Sequence, residues 1–339
     1  MGMASEILAV AGALLLAILL GVSDAPNATA SLVAGRAGPY RGILAWSVLW
    51  HFVGALVAGL AVARTIVGLV SLPPSLLVAA LGMGCIVSAV FTLVAARRGL
   101  PVSASVGLVG GLAGAGVAAR GFGSINWFHA SGFHVTGILG VLGGIFLAPF
   151  AGGLLAALIS LGVYHPDWRF RRGAIRPVRL GTWAMAAWVG IADGTNDGQK
   201  AMGIMVVAVA GTSGLHDVAI AWWIKVVCGL ALAVATAIGG RRIIRTVSRG
   251  LYRGGPIEGV TTQATAAAVI LGTALMGIPV STSAVVTSGM VGAGMVRRRH
   301  HVRWREVEIV LWAWVITVPA CALGGFLLFW GWRLAGGVR

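Results

Sequence analysis

The pentapeptide Pro101-Val-Ser-Ala-Ser105 recurs 178 positions later as Pro279-Val-Ser-Thr-Ser283. The same spacing aligns the glycine-rich runs that follow the two motifs, Gly111–Gly116 and Gly289–Gly294. The abundance of glycine and alanine explains part of this similarity, but it does not explain two serine motifs in the same register. The chain is therefore predicted to contain two related halves.

A second pair of related segments is present, with one member near the beginning of each half. Each half also contains five predicted membrane spans, and because five is an odd number the second half enters the membrane from the opposite side. The sequence therefore predicts an inverted repeat, an arrangement that many transporters use for alternating access. At a spacing of 173 positions, the matching residues are Gly21, Asp24 and Ala28 with Gly194, Asp197 and Ala201.

The composition assigns the chain to the α-helical membrane proteins. Hydrophobic residues make up 58% of the sequence and charged residues only 10%, with a mean hydropathy of +0.94. Apolar stretches such as Ile43–Val62, Val135–Val163 and Val307–Trp330 reach the roughly 20 residues that cross a bilayer as a helix. We predict an all-α polytopic membrane protein with broken or re-entrant helices and about 10–12 helical membrane segments. Two short segments, 100–119 and 278–296, either span the membrane or form re-entrant hairpins.

The basic residues predict the orientation in the membrane. The net charge is +16, and most lysines and arginines lie in short segments between predicted spans, as in 169–179 and 241–253. Basic loops stay in the cytoplasm, which predicts a multi-pass protein of the plasma (inner) membrane with both termini outside. This pattern argues against a nucleic-acid partner. The predicted organisation is a first repeat over 1–168, a basic cytoplasmic linker over 169–180 and a second repeat over 181–339.

Three of the nine acidic residues, Asp24, Asp193 and Asp197, lie within apolar spans. A charge at the bilayer centre costs at least ~3 kcal/mol, so a carboxylate there is a functional candidate. The surrounding runs, Gly21–Thr29 and Asp193–Lys200, contain Gly, Pro and Asn, and we expect them to break their helices. Freed carbonyls would suit a cation, and a new helix N-terminus would suit an anion. The structural alternative is that Asp197 only neutralises Lys200.

The two Pro-Val-Ser-x-Ser motifs place hydroxyl groups at predicted helix starts, where they could hold a tetrahedral oxyanion. Packing of Ser and Thr between helices is the structural alternative. The sequence has no GxSxG nucleophile motif, no P-loop and no histidine pair with metal spacing. We therefore expect neither an enzyme nor a cofactor, no metal site beyond one for Na⁺, and transport driven by an ion gradient.

The repeated motifs resemble those of the inorganic phosphate transporter family (low-affinity phosphate permeases, PiT). Gly21-Val-Ser-Asp24-Ala-Pro-Asn27-Ala28 is similar to the family's first motif, and Asn196-Asp197-Gly-Gln199-Lys200 is similar to its second. The resemblance implies cation-binding residues Asp24, Asn27, Asn196 and Asp197. It implies phosphate-binding residues Ser103, Ser105, Gln199, Ser281, Thr282 and Ser283. Four further residues are candidates for accessory roles: Ser23, His51, Asp193 and Lys200.

The resulting prediction is symport of inorganic phosphate with Na⁺ or H⁺ by alternating access. The expected partners are phosphate, the coupling cation and the lipid bilayer, and a homodimer stays open. Ser23, His51 and the ends of both serine motifs depart from the family pattern, so the coupling ion and the anion also stay open. Sulfate, another tetrahedral oxyanion, is the main alternative substrate. An ion channel or a membrane receptor is the weaker alternative.

Overall fold

A computed structural model describes residues 3–35, 37–98, 102–131, 134–163, 175–211, 215, 219–250, 256–298 and 304–337. Within these ranges the chain folds into eleven α-helices, a short 3₁₀ turn at Phe122–Ser124 and a small antiparallel β-hairpin, His129–Ser131 with His134–Thr136. The helices are α1 (Met3–Ala34), α2 (Tyr40–Val57), α3 (Ala61–Val67), α4 (Pro74–Arg97), α5 (Ala104–Arg120), α6 (Gly137–Val163), α7 (Ile175–Ala210), α8 (Trp222–Gly250), α9 (Pro256–Leu275), α10 (Thr282–Arg298) and α11 (Trp304–Leu334).

The apolar helices confirm the prediction of an all-α polytopic membrane protein. Large side chains on the outer face of α6, such as Leu147, Phe150 and Leu154, are exposed, as expected for contact with lipid. The interior is built largely from alanine and other small or aliphatic residues. Five helical segments of the described residues are long and apolar enough to cross a membrane: Met3–Val33, Tyr40–Val57, Pro74–Ala95, Gly137–Val163 and Leu311–Leu334.

The packing of the helices repeats between the two predicted halves, which contain α1 to α6 and α7 to α11. Helix α5 packs on α11 of the other half, and α10 packs on α6. The contacts are equivalent: a Cβ atom at Gly114 would collide with the carbonyl oxygen of Ala322, and one at Gly292 would collide with that of Gly153. Because Gly114 and Gly292 are 178 positions apart, the repeat in the sequence is a repeat in the packing.

Both acidic motifs lie within continuous helices, so the expected helix breaks at Gly21–Thr29 and Asp193–Lys200 are wrong. Helix α1 passes through Pro26 and α7 runs uninterrupted for 36 residues. The polar side chains in these runs find partners on neighbouring helices, so the backbone does not need to unwind to accommodate them. The chain is broken elsewhere, between α2 and α3 at 58–60 and in the extended segments that precede α5 and α10.

Helix α5 begins inside the helix bundle. The Ser88 hydroxyl of α4 donates to the carbonyl oxygen of Ala104 at 2.6 Å, which places the first residue of α5 beside Ser88. Helix α4 continues from Ser88 to Arg97, about 13 Å of helix at about 1.5 Å per residue. The described part of 100–119 is thus one helix antiparallel to α4, preceded by non-helical residues. Segment 278–296 likewise consists of non-helical residues followed by helix α10.

The predicted linker at 169–180 lies mostly outside the described residues. Its last six positions form the first turns of α7, which begins at Ile175. The division of the chain at 168 stays a prediction.

Candidate functional site

The helical spacing of polar residues brings the two acidic motifs together where α1 packs against α7. Asp24 and Asn27 are one turn apart on α1, and Asp193, Asp197 and Lys200 follow one face of α7. All five side chains are at most 4% exposed. The carboxyl group of Asp24 interacts electrostatically with those of Asp193 and Asp197. The three intramembrane carboxylates predicted from the sequence therefore form a single cluster.

Asn27 connects three helices at this cluster. Its Nδ2 atom lies 3.1 Å from Asp24 Oδ1 on α1, 2.9 Å from Asp193 Oδ2 on α7 and 3.2 Å from Thr282 Oγ1 on α10. Ser283, the next residue of α10, donates a hydrogen bond from its hydroxyl group to Asp24 Oδ1. The start of α10 is therefore attached to the acidic residues of α1.

Lys200 makes the equivalent connection on the other side of the cluster. Its ammonium group lies 2.5 Å from Asp197 Oδ1, 2.6 Å from Ser105 Oγ and 3.1 Å from the carbonyl oxygen of Val280. These atoms belong to α7, to α5 and to the extended segment before α10. An ammonium group has three N–H bonds, so these three acceptors satisfy it completely. Lys200 is completely buried, and its charge is balanced by Asp197.

The two halves contribute related but unequal pairs. Asp24 with Asn27 in the first half corresponds to Asp197 with Lys200 in the second, with the same three-residue separation. Each pair contacts a serine from a Pro-Val-Ser-x-Ser motif, since Ser283 bonds to Asp24 and Ser105 bonds to Lys200. The hydroxyl motifs and the acidic motifs therefore form one site, with an amide on one side and an ammonium group on the other.

His51 lies at the edge of the site, behind Asp193. Its Nε2 atom is 3.6 Å from Asp193 Oδ2, and its Nδ1 atom is 2.7 Å from the carbonyl oxygen of Ser47. The ring is 1% exposed, so it contacts the acidic cluster without contact with solvent. The structure thus brings two predicted accessory residues, His51 and Asp193, to the cluster.

Three predicted residues have other contacts. Gln199 uses its side-chain oxygen to accept from the backbone N–H of Val62 at 2.9 Å, at the first turn of α3. The amide nitrogen of Asn196 lies 3.5 Å from the carbonyl oxygen of Ile278. Ser23 bonds back to carbonyl oxygens of its own helix, at Leu19 and Leu20. The hydroxyl group of Ser23 therefore takes no part in the cluster.

The remaining hydroxyl residues lie at helix starts. Ser103 caps α5, and its side chain accepts from the backbone N–H of Val106 at 3.4 Å. Ser281 is 3% exposed and immediately precedes α10. Helices α5 and α10, one from each half, therefore both begin at the cluster. The positive ends of their helix dipoles lie at this buried site.

Comparison with known proteins identifies the group to which this arrangement belongs. The family model described as "Phosphate transporter family" matches residues 20–174 and 163–325, which include both halves. The chain belongs to the phosphate transporter family. It is a transporter rather than an enzyme.

Relatives of this phosphate transporter family member match along nearly the whole chain. A probable low-affinity inorganic phosphate transporter of Rhizobium meliloti (strain 1021) is 34% identical over 323 residues, with 93% of this chain and 92% of the relative covered. A protein of the same description from Bacillus subtilis (strain 168) is 31% identical, with 95% and 96% covered. A solved structure described as the sodium-dependent phosphate transporter superposes with a TM-score of 0.83 at 21% identity, covering 98% of this chain and 100% of that chain. That likeness confirms the fold.

Three buried oxygens of this family member's site lack a hydrogen-bond partner: Asp193 Oδ1, Asn196 Oδ1 and Asp197 Oδ2. All three belong to α7, and an unpaired buried acceptor is unfavourable unless a ligand satisfies it. In the described part of the chain, no three His, Cys, Asp or Glu residues are arranged to hold a metal ion. A cation bound here would therefore also need amide, hydroxyl or carbonyl oxygens, the ligand types that suit a hard cation.

Two polar contacts at the transporter's site or next to it were not predicted from the sequence. The carbonyl oxygen of Val280 contacts Lys200, and backbone atoms of apolar residues give no signal in a sequence. Gln263 of α9 donates to the carbonyl oxygen of Ala28 at 3.2 Å, and its own side-chain oxygen is unpaired. Gln263 could have been found, because it is a buried amide within an apolar helix.

Proposed function

We propose that this protein carries inorganic phosphate across the plasma membrane together with a cation, Na⁺ or H⁺, by alternating access. The observation that carries the proposal is the single buried cluster in which both acidic motifs meet both hydroxyl motifs. Opposite charges bound side by side reduce the unfavourable transfer of either charge into a medium of low dielectric constant. Co-transport therefore follows from the proximity of the two kinds of ligand.

The anion is proposed to bind where α5 and α10 begin. Each N-terminus presents free backbone N–H groups and a partial positive charge. The hydroxyl groups of the two motifs lie near the same place, and the ammonium group of Lys200, paired with Asp197, contacts Ser105 of one motif. The proposed phosphate ligands are Ser103, Ser105, Ser281, Thr282 and Ser283, with Lys200 beside them, and Gln199 is a further proposed ligand whose side-chain oxygen bonds to α3.

The cation is proposed to bind on the acidic side of the cluster. Asp24 and Asn27 of α1 lie beside Asn196 and Asp197 of α7, and the unpaired oxygens of Asn196 and Asp197 are acceptors for it. The name of the structurally similar sodium-dependent protein supports Na⁺. The contact between His51 and Asp193 supports H⁺ as the alternative, since histidine titrates near neutral pH.

Phosphate is favoured over sulfate by the acceptors at the site. Near neutral pH phosphate keeps a proton and can donate an O–H bond to a carboxylate, whereas sulfate has no proton to donate and would only be repelled. The unpaired oxygen of Asp193 is an acceptor of this kind. Unlabelled phosphate is expected to compete with labelled phosphate uptake at lower concentration than sulfate, and the reverse order would favour sulfate as the substrate.

The orientation is proposed from the distribution of charge. Most basic residues lie between spans on the side that would face the cytoplasm, which places both termini outside. Labelling of a single cysteine introduced at Gly337 with a membrane-impermeant reagent tests this placement in intact cells. The native cysteines Cys85, Cys228 and Cys321 are buried and should not react.

Substitution of the two pseudo-equivalent aspartates tests the proposed function. Asp24→Asn and Asp197→Asn keep the size of the side chain and remove its charge, so uptake of labelled phosphate into proteoliposomes is expected to be abolished. Glu308→Gln, at an exposed position of α11, is the matched control and should retain uptake. Normal uptake by both aspartate variants would refute the assignment.

A further inference from the structure

The ammonium group of Lys200 is surrounded by oxygen atoms of the types that bind cations. A carboxylate oxygen, a hydroxyl oxygen and a backbone carbonyl oxygen lie 2.5 to 3.1 Å from Nζ, and they come from three separate segments of the chain. Carboxylate and carbonyl oxygens of this kind coordinate Na⁺ in the broken helices of secondary transporters. The oxygen atoms around Nζ are therefore of the types that bind a metal cation, and the ammonium group of Lys200 takes the place of that cation.

The pseudo-equivalent position in the first half has no such built-in charge. Asn27 stands where the second half has Lys200, and it bonds to Asp24 at 3.1 Å with a neutral amide. Among the side chains that the structure describes, Asp24 forms no ion pair with a lysine, arginine or histidine. It bonds to the Asn27 amide and the Ser283 hydroxyl and lies against the carboxyl group of Asp197, and none of these groups supplies a positive charge.

We propose that Lys200 permanently occupies the second of two pseudo-equivalent cation positions, so that a single transported cation binds, on the acidic side of the cluster that includes Asp24 and Asn27. The inference rests on the proposed function, and it specifies how many cations that function uses. A transporter with equivalent sites in both halves would bind two cations from solution. Here the ammonium group of Lys200 replaces one of them. The transporter therefore carries one cation fewer per phosphate than a transporter with an amide at both positions.

The inference also gives Lys200 a role toward the anion. Because Nζ is 2.6 Å from Ser105 Oγ, the fixed charge lies at the start of α5, where the anion is proposed to bind. A positive charge that belongs to the protein does not leave the site when the transported ions are released. A transported cation is present there only while it is bound.

The variant Lys200→Asn tests the proposal, because it reproduces the side chain of Asn27 at the equivalent position. Uptake of ²²Na⁺ and ³²P-phosphate is measured in the same proteoliposomes, and the ratio of the two fluxes is compared with that of the wild type. The variant is expected to carry one more Na⁺ per phosphate, whether the wild type itself uses Na⁺ or H⁺. Lys200→Arg retains the charge and is expected to retain the wild-type ratio.

Two further variants keep the test decisive if Lys200→Asn does not transport. Binding of ²²Na⁺ to the purified protein should show one additional ion in Lys200→Asn, and the additional ion should be absent when Asp197→Asn is combined with it. The reciprocal change Asn27→Lys should remove one Na⁺ per phosphate, or the dependence on Na⁺ altogether.

The outcomes separate this inference from the proposed function. An unchanged flux ratio in an active Lys200→Asn, or an unchanged number of bound Na⁺ ions in an inactive one, would overturn the inference about Lys200 alone. The absence of cation-dependent phosphate uptake in the wild-type protein would instead overturn the proposed symport.

Discussion

Lys200 and Asn27 illustrate at the scale of single residues how two related halves acquire different chemistry. Each lies three positions after an aspartate on a continuous helix, and each bonds to that aspartate. Removing one partner of a buried ion pair typically destabilises a protein by about 3–5 kcal/mol, because the other charge is left buried and uncompensated. Lys200 and Asp197 therefore depend on each other for stability. The two motifs differ at this position, and the structure shows how the contacts of the two residues differ.

The site hydroxyls give a prediction at the same scale. Ser105→Ala and Ser283→Ala each remove a hydroxyl group that is proposed to bond to the charged phosphate, and a hydrogen bond to a charged group is worth about 1.5–3 kcal/mol. We therefore expect the KM for phosphate to rise at least about tenfold, since about 1.4 kcal/mol corresponds to a factor of ten.

Ser23→Ala is the matched control for these two variants, because the Ser23 hydroxyl bonds only to carbonyl oxygens of its own helix. Its KM should equal that of the wild type. Equal KM values for all three variants, measured from the concentration dependence of phosphate uptake in proteoliposomes, would exclude the serine motifs from the site.

At the scale of helices, the sequence predicted which segments form the site but not how their backbones run. Gly, Pro and Asn in the acidic motifs indicated unwound helices, yet α1 and α7 are continuous. The polar groups of Asp24 and Asn27 are satisfied by α7 and α10, and such tertiary partners are invisible to local helix propensity. The Pro-Val-Ser-x-Ser motifs were correctly placed at helix starts, because a capping serine is a local feature.

The packing of α5 in one half against α11 in the other also gives a prediction. Gly114 of α5 is so close to the carbonyl oxygen of Ala322 that a Cβ atom cannot be accommodated without moving α11. Gly114→Ala should therefore lower the thermal unfolding temperature of the detergent-solubilised protein, with a destabilisation of about 1–3 kcal/mol typical of overpacking.

Gly143→Ala is the matched control, because no described atom lies within 4 Å of its Cβ position on α6 apart from the nearby backbone of its own helix. Alanine at an unobstructed helical position is more favourable than glycine by up to about 1 kcal/mol, so this control should be neutral or stabilising. Equal unfolding temperatures for the two variants would contradict the close packing of α5 on α11.

At the scale of the whole molecule, the two halves enclose the site between them. The acidic residues and Lys200 are almost completely buried, and the helices that provide them come from both repeats. An inverted repeat can present such a site to each side of the membrane in turn, when one set of helices moves relative to the other. The fold class and the repeat followed from hydropathy and internal similarity, whereas the pairing of α5 with α11 and of α10 with α6 required the structure.

Accumulation of phosphate against its own gradient tests the central claim most directly. Proteoliposomes loaded with a low concentration of phosphate are given an inward gradient of Na⁺ or of H⁺, one at a time, at equal external phosphate. The account predicts that one of these gradients raises internal labelled phosphate above the external concentration, and that Asp24→Asn abolishes the rise. Equilibration of phosphate to the external concentration under both gradients would contradict the account, because it would show passive permeation without coupling to a cation.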